Sequence, residues 1–425
     1  MSTARNPSPQ DPATVRGAED FPEALMAEAR RDPARFGTAR DLAEAAGMDL
    51  ADLERLFLLH AHRDVARFLM EARVRAAGRL LLGGAGPVWA AGAACGFPDP
   101  ATFAAQFLAG AGISPAGYQA LGQSQGATGF TLGLPQGYRA ADILAYHGRD
   151  PLSLSERVEG ETLFKAMTVA GRRLVLELAF RPGTVDCRVL ADPGPPPPMD
   201  QVHGRVVRML GLGLDPAPFE QFVRERSLQP LVAPRLGLRI PLTADVWESL
   251  VWAILGQQVN LAFAYALRRR LTELCARATG PALAGTALCA HPTPAAVAAL
   301  DPADLKPLQF SRSKSEYVID LARAVAAGTL PLEQLPEGSA TSAALRLSAE
   351  RGVGPWTTHY VMMRGCGFGD CVPLGDAGLT LALQRHFGLD HRPTVKETAA
   401  FMAPFAPHRS LATFHLWASL KGVPA

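Results

Sequence analysis

Long hydrophobic runs, paired cysteines and an excess of basic residues are all missing from this sequence of 425 residues. No stretch approaches the roughly 18 consecutive apolar residues that a membrane-spanning helix needs, so we expect no membrane association. The six cysteines form no CxxC pair and have no histidine at zinc spacing. We therefore predict reduced thiols, no metal site and a cytoplasmic protein. Residues 1–18 lack an apolar segment, so we expect a disordered tail there and no secretory signal.

Charge is also low. Charged residues make up 19% of the chain, and 42 Lys and Arg against 40 Asp and Glu give a net charge of +2. Proteins that bind nucleic acid through a basic surface normally have a larger excess. The balance differs along the chain, because residues 1–130 hold 12 basic and 14 acidic residues whereas residues 131–425 hold 30 and 26. Any basic surface is therefore expected in the second part.

Hydrophobic residues make up 48% of the chain, enough for packed cores in two to four domains of ordinary size. Apolar residues at helical spacing predict a mainly helical first domain over residues 19–124. Two short helical patterns flank Gly47 in DLAEAAGMDLADLERLFLLH, and two more flank Gly96 in PVWAAGAACGFPDPATFAAQFLAGAGISPAGY. This arrangement is typical of paired helix-turn-helix units.

The pattern changes in the next part, residues 130–238. GRRLVLELAF alternates, with Leu174, Leu176, Leu178 and Phe180 on one face, and VDCRVLA follows after a turn signal. These segments predict a small antiparallel sheet with some helix. Residues 239–425 return to helical patterns, among them one helix over 246–275. The fold class is therefore mainly α with a small α+β part.

The segment that carries chemistry is LRLSAERGVGPWTTHYVMMRGCGFGDCVPLGDAGLTLALQRHFG. Two helical patterns are joined by Gly352, Val353 and Gly354, and Pro355 suits the first position of the second helix. Backbone N–H groups at such a helix start can contact a phosphate. Downstream, Asp376 opens another helix. Either feature alone is also typical of an ordinary helical turn or an N-capping aspartate.

Together these segments resemble the helix-hairpin-helix DNA glycosylases, and within them the 3-methyladenine DNA glycosylase II family. GVGPWTTHYVMMRG is similar to that family's hairpin, VPLGDAGL to its catalytic-aspartate segment, VWAILGQQVN to its first conserved helix and FHLW to its last. The resemblance covers about residues 135–425. It implies an all-helical glycosylase domain over 239–425, preceded by the mixed domain, and places the catalytic carboxylate on Asp376.

The resemblance also implies a pocket and a DNA surface. Base-pocket positions fall on Trp356, Tyr360, Trp417 and Tyr146, although large aromatic residues are more commonly part of a core. Electron-rich rings attract a positively charged alkylpurine. DNA-contacting positions fall on the hairpin and on the first conserved helix, namely Gly352, Val353, Gly354, Gln257, Gln258 and Thr357. Gln258 matches the position of a wedge residue that fills the gap left by a flipped base, and it could equally cap or pack.

The implied activity is hydrolysis of the bond between an alkylated purine and its sugar in double-stranded DNA. Bifunctional members of the superfamily have a lysine nucleophile two residues after the second hairpin glycine, and this chain has Trp356 there. We therefore expect a monofunctional enzyme that uses water, leaves an abasic site, needs no cofactor and acts as a monomer. The iron–sulfur cluster of some relatives is not expected, because no cysteine follows Cys371.

The first domain resembles the paired helix-turn-helix units of AraC-type transcription regulators over about residues 20–120. Base reading needs Arg, Lys, Asn or Gln on the recognition helices. The second unit offers only Gln106 and Thr102, so operator binding is not the favoured prediction. The alternative function is a DNA-binding regulator of the alkylation response, in which the glycosylase part only senses damage.

Overall fold

The computed structural model describes residues 12–420, except residues 85, 124–127, 227 and 284. The first domain is helical, as predicted, and its two helix-turn-helix units are α2–α3 and α5–α6. Its helices are α1 (Pro12–Arg31), α2 (Ala39–Ala46), α3 (Leu50–His60), α4 (Val65–Gly83), α5 (Val88–Ala94), α6 (Pro100–Ala111) and α7 (Pro115–Gln123). Residues 12–18, which the sequence analysis assigned to a disordered tail, lie within α1, and residues 1–11 fall outside the described residues.

Aspartates begin several of these helices. Asp49, Asp64 and Asp99 each accept a hydrogen bond from the backbone N–H three residues further on, at 2.7, 2.8 and 2.8 Å. An N-capping carboxylate satisfies an otherwise unpaired N–H group and favours the positive end of the helix. These three negative charges of the first domain therefore have a structural role.

The second part forms one antiparallel sheet of five strands, in the order β1-β5-β4-β3-β2. Its elements are β1 (Gly129–Gly133), α8 (Ala140–His147), β2 (Glu156–Glu159), β3 (Thr162–Val169), β4 (Arg172–Arg181), β5 (Thr184–Leu190) and α9 (Met199–Met209). Leu174, Leu176, Leu178 and Phe180 are all buried in one core cluster, as their alternation predicted. Val175, on the opposite face, packs in a separate small cluster with Ala166 and Leu288.

The remaining chain is helical. Its helices are α10 (Ala217–Glu225), α11 (Val246–Gly256), α12 (Leu261–Thr279), α13 (Pro294–Ala298), α14 (Pro302–Leu305), α15 (Arg312–Ala326), α16 (Ala340–Ser348), α17 (Pro355–Val361), α18 (Ala377–Phe387), α19 (Val395–Met402) and α20 (Arg409–Ser419). A π-helical turn at Met362–Cys366 extends α17. No helix in the described part of the chain is long and apolar enough to cross a membrane.

The predicted single helix over 246–275 is wrong. The chain leaves the helix at Gln257, Gln258 takes a positive φ of 55°, and Asn260 caps α12 by accepting from the Phe263 N–H at 2.9 Å. The asparagine is a residue type that favours helix starts over helix interiors. The break turns residues 257–260 into an exposed loop beside the hairpin.

Packing crosses the domain boundaries predicted from the sequence. Phe103, Phe107 and Leu121 of the first domain share one core with Leu132 and the inner face of the sheet. His203 of α9 lies 2.7 Å from the Ala111 carbonyl oxygen through its Nε2. At the other boundary, α10 packs into the core of the last helical domain, although it precedes residue 238. The second helix-turn-helix unit is therefore continuous with the sheet domain, and the boundaries at 124 and 238 stay predictions.

Phe107→Ala is expected to test this shared core. Phe107 is 1% exposed and its ring contacts Phe103 and Tyr118 at centroid distances of 5.6 and 5.3 Å. The cavity should lower the free energy of unfolding by about 3–5 kcal/mol, measured by denaturant titration of the full chain. Leu108→Ala is the matched control, because Leu108 is 46% exposed. Equal effects of the two substitutions would contradict the packing.

The first domain also docks on the last domain, through α1 and α3. His60 Nδ1 at the end of α3 lies 2.8 Å from Thr341 Oγ1, and the Glu23 carboxylate accepts from the Ser339 N–H at 2.8 Å. Ser339 and Thr341 lie at the start of α16, the helix that leads into the hairpin. The helix-turn-helix domain is therefore held against the same helix that positions the hairpin.

Candidate active site

The hairpin follows α16 and ends at α17. Gly352 adopts a φ of 87°, and a Cβ there would lie 2.4 Å from the ring of Tyr317, so only glycine fits. Gly354 is the residue before α17, with Pro355 at the first helical position as predicted. Gly354 and Pro355 are exposed whereas Val353 is 5% exposed. The turn therefore offers backbone to solvent and anchors itself with one apolar side chain.

Gln257 and Thr357 hold this turn together. Gln257 Nε2 donates to the Gly352 carbonyl at 2.8 Å and to Thr357 Oγ1 at 3.0 Å. The Thr357 side chain is 1% exposed, so it holds the hairpin from inside. Contacts of Gln257, Gln258, Thr357 and the hairpin residues Gly352, Val353 and Gly354 with DNA stay predictions. Gln258 is exposed and lines the cavity beside Asp376.

Lys314 anchors the loop after α11. Its Nζ donates to the carbonyl oxygens of Ile254, Leu255 and Gln257 at 2.9, 3.1 and 2.6 Å. Burial lowers the pKa of this ammonium group to about 8. A cation at the end of a helix satisfies carbonyls that lack a partner within the helix. The sequence analysis missed this residue, because nothing in the spacing links position 314 to position 257.

Asp376 begins α18, and its carboxylate is held by three N–H groups. Oδ1 accepts from the Leu379 backbone at 2.7 Å and from the Trp417 indole at 3.0 Å, and Oδ2 accepts from the Trp356 indole at 3.1 Å. Two predicted pocket residues therefore fix the predicted catalytic carboxylate. Gly378 allows this approach, because a Cβ there would lie 3.1 Å from Asp376 Oδ1.

Aromatic rings continue inward from this carboxylate. Trp356 stacks on Tyr360 at a centroid distance of 5.3 Å, and Tyr360 lies 6.2 Å from Trp417. They line a cavity of about 1010 Å³ together with Asp376, Gly354 and Gln258. The four predicted pocket residues all line it, since Tyr146 of α8 reaches the same cavity from the sheet domain.

Tyr146 differs from the expectation of an open aromatic face. Two guanidinium groups lie over its ring, with the central carbon of Arg149 at 3.7 Å and that of Arg364 at 4.4 Å from the ring centre. Burial alone would raise the pKa of Tyr146, but the two positive charges outweigh it and lower that pKa. The protein's own cations thus occupy the ring that was expected to attract a cationic base.

Behind Tyr146 lies a buried ionic network between the sheet and the last domain. Glu248 accepts from Lys165 at 2.7 Å, and Arg268 donates to Glu156 at 2.8 Å and to Glu248 at 3.3 Å. All four side chains are at most 7% exposed. Two carboxylates and two cations balance one another there, so the network fixes the two domains at the inner end of the cavity.

Several lining residues were not predicted from the sequence, namely Arg149, Trp252, Tyr265, Arg364 and Phe414. Trp252 lies inside the quoted segment VWAILGQQVN, one helical turn before Gly256, and that spacing was a usable signal. Arg149, in the turn after α8, and Arg364, in the π-helical turn, gave no such signal, because arginine is ordinarily solvent-exposed.

The Asp376 carboxylate and the cavity around it can stabilise a positive charge that develops beside the carboxylate. A carboxylate held rigidly in a partly enclosed cavity favours a cationic transition state and can orient a water molecule. No group of histidines, cysteines and carboxylates suited to a metal ion occurs among residues 12–420 as far as they are described. The chemistry available to this site therefore depends on Asp376 and the aromatic rings around it.

Two parts of the chain match known protein families. Residues 251–407 match the family model of the HhH-GPD superfamily base excision DNA repair protein, and residues 42–120 match a helix-turn-helix domain. A DNA-3-methyladenine glycosylase of Bacillus subtilis is 35% identical over 206 residues, which are 48% of this chain and 67% of that protein. DNA-3-methyladenine glycosylase 2 of Escherichia coli is 35% identical over 191 residues, 45% of this chain and 64% of that protein.

The fold is similar to solved structures as well. A 3-methyladenine DNA-glycosylase from Archaeoglobus fulgidus superposes with a TM-score of 0.59 at 18% identity, covering 69% of this chain and 98% of that one. The chain spans about two thirds of the length of the curated relatives it matches. With the hairpin, the capping aspartate and these matches together, the chain belongs to the HhH-GPD superfamily of base excision DNA repair proteins.

Proposed function

We propose that this protein is a monofunctional DNA glycosylase that flips alkylated purines out of double-stranded DNA and hydrolyses the bond between base and sugar. One observation carries the proposal. Asp376 lies at the edge of an aromatic cavity, between the indole N–H groups of Trp356 and Trp417. A base that enters this cavity would bring its sugar close to the carboxylate.

The proposed chemistry follows from that geometry. Taking a base out of the stack costs a few kcal/mol, which the exposed hairpin backbone and the aromatic rings offset. As the bond to the base breaks, the sugar becomes positive, and the Asp376 carboxylate stabilises it. Water then attacks the sugar, and Asp376 accepts its proton. The product is a free base and an abasic site.

Water is the proposed nucleophile because no lysine occurs among the described residues that line the cavity. The position where bifunctional relatives have their lysine is Trp356, whose indole donates to Asp376. Lys314 is engaged by three carbonyl oxygens, and Lys165 lies in the ionic network.

A duplex with a single 7-methylguanine tests the monofunctional proposal. We expect the full-length protein to leave the strand intact until hot alkali is added, when it breaks at the lesion. Borohydride should trap no covalent complex. Strand cleavage before alkali, or a trapped complex, would contradict hydrolysis by water and indicate an amine nucleophile.

The first domain is proposed to extend the glycosylase and not to read an operator. The end of α3 is docked on α16 through His60, so this recognition helix is partly covered. The exposed residues Ala101, Ala104, Ala105 and Leu108 of α6 cannot donate to base edges. Gln106 is half-buried, and the Thr102 hydroxyl donates to Asp99. We further propose that the protein acts as a monomer in the cytoplasm, whose reducing conditions suit its six unpaired cysteines.

A further inference from the structure

Two cations line the cavity without a carboxylate partner. Four arginines reach it, and of these Arg235 pairs with Asp142 at 3.4 Å and Arg239 with Asp215 at 3.8 Å. Arg149 and Arg364 form no ion pair with any residue in the described part of the chain. The nearby Glu156 is already matched by Lys165 and Arg268. The inner end of the cavity therefore carries two guanidinium groups that lack a carboxylate partner.

Arg364 is the more unusual of the two. It is 2% exposed, and its Nε and Nη2 atoms have no hydrogen-bond partner among the described residues. Its central carbon lies 4.4 Å from the Tyr146 ring centre and 5.3 Å from that of Phe414. A buried guanidinium group with unsatisfied N–H groups costs free energy unless a ligand completes it.

Arg149 shares the same rings. Its central carbon lies 3.7 Å from the ring centre of Tyr146, 5.5 Å from Trp252 and 6.0 Å from Tyr265. The guanidinium group of Arg149 therefore already occupies the space beside these three aromatic rings. A second cation, such as a purine methylated at N7, would meet like charge at this end of the cavity.

We propose that Arg149 and Arg364 form a leaving-group site that lets this enzyme excise uncharged purine lesions. This rests on the proposed glycosylase function and names its substrate class. When the bond between C1′ and N9 of a neutral purine breaks, the electron pair stays on the base, which becomes an anion. A cationic alkylpurine leaves as a neutral molecule and needs no such help.

The proton balance is complete with water alone. The oxygen of one water molecule bonds to C1′, and one of its protons passes to Asp376 and then to solvent. The departing purine anion, stabilised by the two guanidinium groups, takes up a proton from solvent. Asp376 and the arginines thus act on opposite charges, the carboxylate on the sugar and the guanidinium groups on the base.

The test compares two duplexes, one with hypoxanthine, an uncharged purine lesion, and one with cationic 7-methylguanine. Single-turnover excision is measured with full-length wild type and Arg149→Met. Arg149 is the better position to vary, because it is only part-buried whereas Arg364 is 2% exposed. We expect the rate of hypoxanthine release to fall roughly 10- to 100-fold relative to the rate of 7-methylguanine release. The upper end of this range is about the smallest effect seen when one pre-organised electrostatic contact is removed from an enzyme.

Three further variants separate charge from packing. Arg149→Lys keeps the positive charge. The ratio of the hypoxanthine release rate to the 7-methylguanine release rate should therefore return most of the way to that of wild type. Arg149→Gln is a second uncharged variant in case the Met variant does not fold. Arg235→Met removes a paired arginine from the same cavity and should leave the ratio within about twofold, since its charge is already balanced.

The outcomes are distinguishable. If the uncharged variants slow both lesions equally, the arginines only support the pocket and the leaving-group site is wrong. If wild type excises 7-methylguanine alone, the inference is also wrong while the glycosylase function stands. If wild type releases neither base, the proposed function fails and this inference fails with it.

Discussion

Asp376→Asn is expected to abolish base excision while leaving the protein folded. The amide is nearly the same size, and its oxygen can still accept from the Leu379 backbone, so α18 should keep its cap. The negative charge beside the developing sugar cation is lost. We expect the single-turnover rate to fall by about 10²- to 10⁴-fold, the range for a positioned catalytic carboxylate.

Asp301→Asn is the matched control for this substitution. Asp301 also caps a helix of the last domain, α14, by accepting from the Ala303 N–H at 2.8 Å, but it does not line the cavity. Its excision rate should equal that of wild type. Melting temperatures of all three proteins show whether any loss of activity reflects unfolding. Full activity of Asp376→Asn would remove this carboxylate from the mechanism.

Gly352→Ala is expected to have the largest effect on stability at the hairpin. A non-glycine residue at a φ of 87° is strained, and the new Cβ would lie 2.4 Å from the Tyr317 ring. Strain and overpacking together should lower the free energy of unfolding by about 2–5 kcal/mol, measured by denaturant titration.

Gly354→Ala separates backbone strain from ligand contact. Its φ of −83° suits any residue, and nothing lies within 4 Å of the added Cβ. Stability should therefore change by less than about 1 kcal/mol. If DNA backbone approaches this exposed turn, the added methyl group should still weaken binding of an abasic duplex. A loss of stability as large as that of Gly352→Ala would contradict the hairpin geometry.

Motif positions were predictable from the sequence because each depends on local backbone chemistry. The helix predicted after Asp376 is Ala377–Phe387, with the aspartate as its cap. The hairpin glycine and the proline at the start of α17 were likewise found. The four pocket residues came from the resemblance, and the structure brings all of them to one cavity.

Long-range features were not predictable. The break at Gln257 is stabilised by Lys314, 57 residues away, so helical periodicity alone extended the helix through it. The shared core of Phe107 and Leu132 depends on tertiary packing that composition does not encode. Arg364 was missed because a buried guanidinium group without an ion-pair partner contradicts the general rule that arginine is exposed.

The net charge of +2 also has a physical explanation. Acidic residues of the first domain cap helices, and four charges of the later domains balance one another in the buried network. The exposed hairpin can contact phosphate through backbone N–H groups and needs no basic patch for it. A near-neutral balance is therefore compatible with the proposed binding of DNA.

The most direct test of the proposed glycosylase function is mass spectrometry of the bases released from a duplex that carries one 7-methylguanine or one hypoxanthine. We expect the protein to release the free modified base and to leave one abasic site for each base released. Binding of the same duplex without any released base would contradict it and favour a protein that only senses damage.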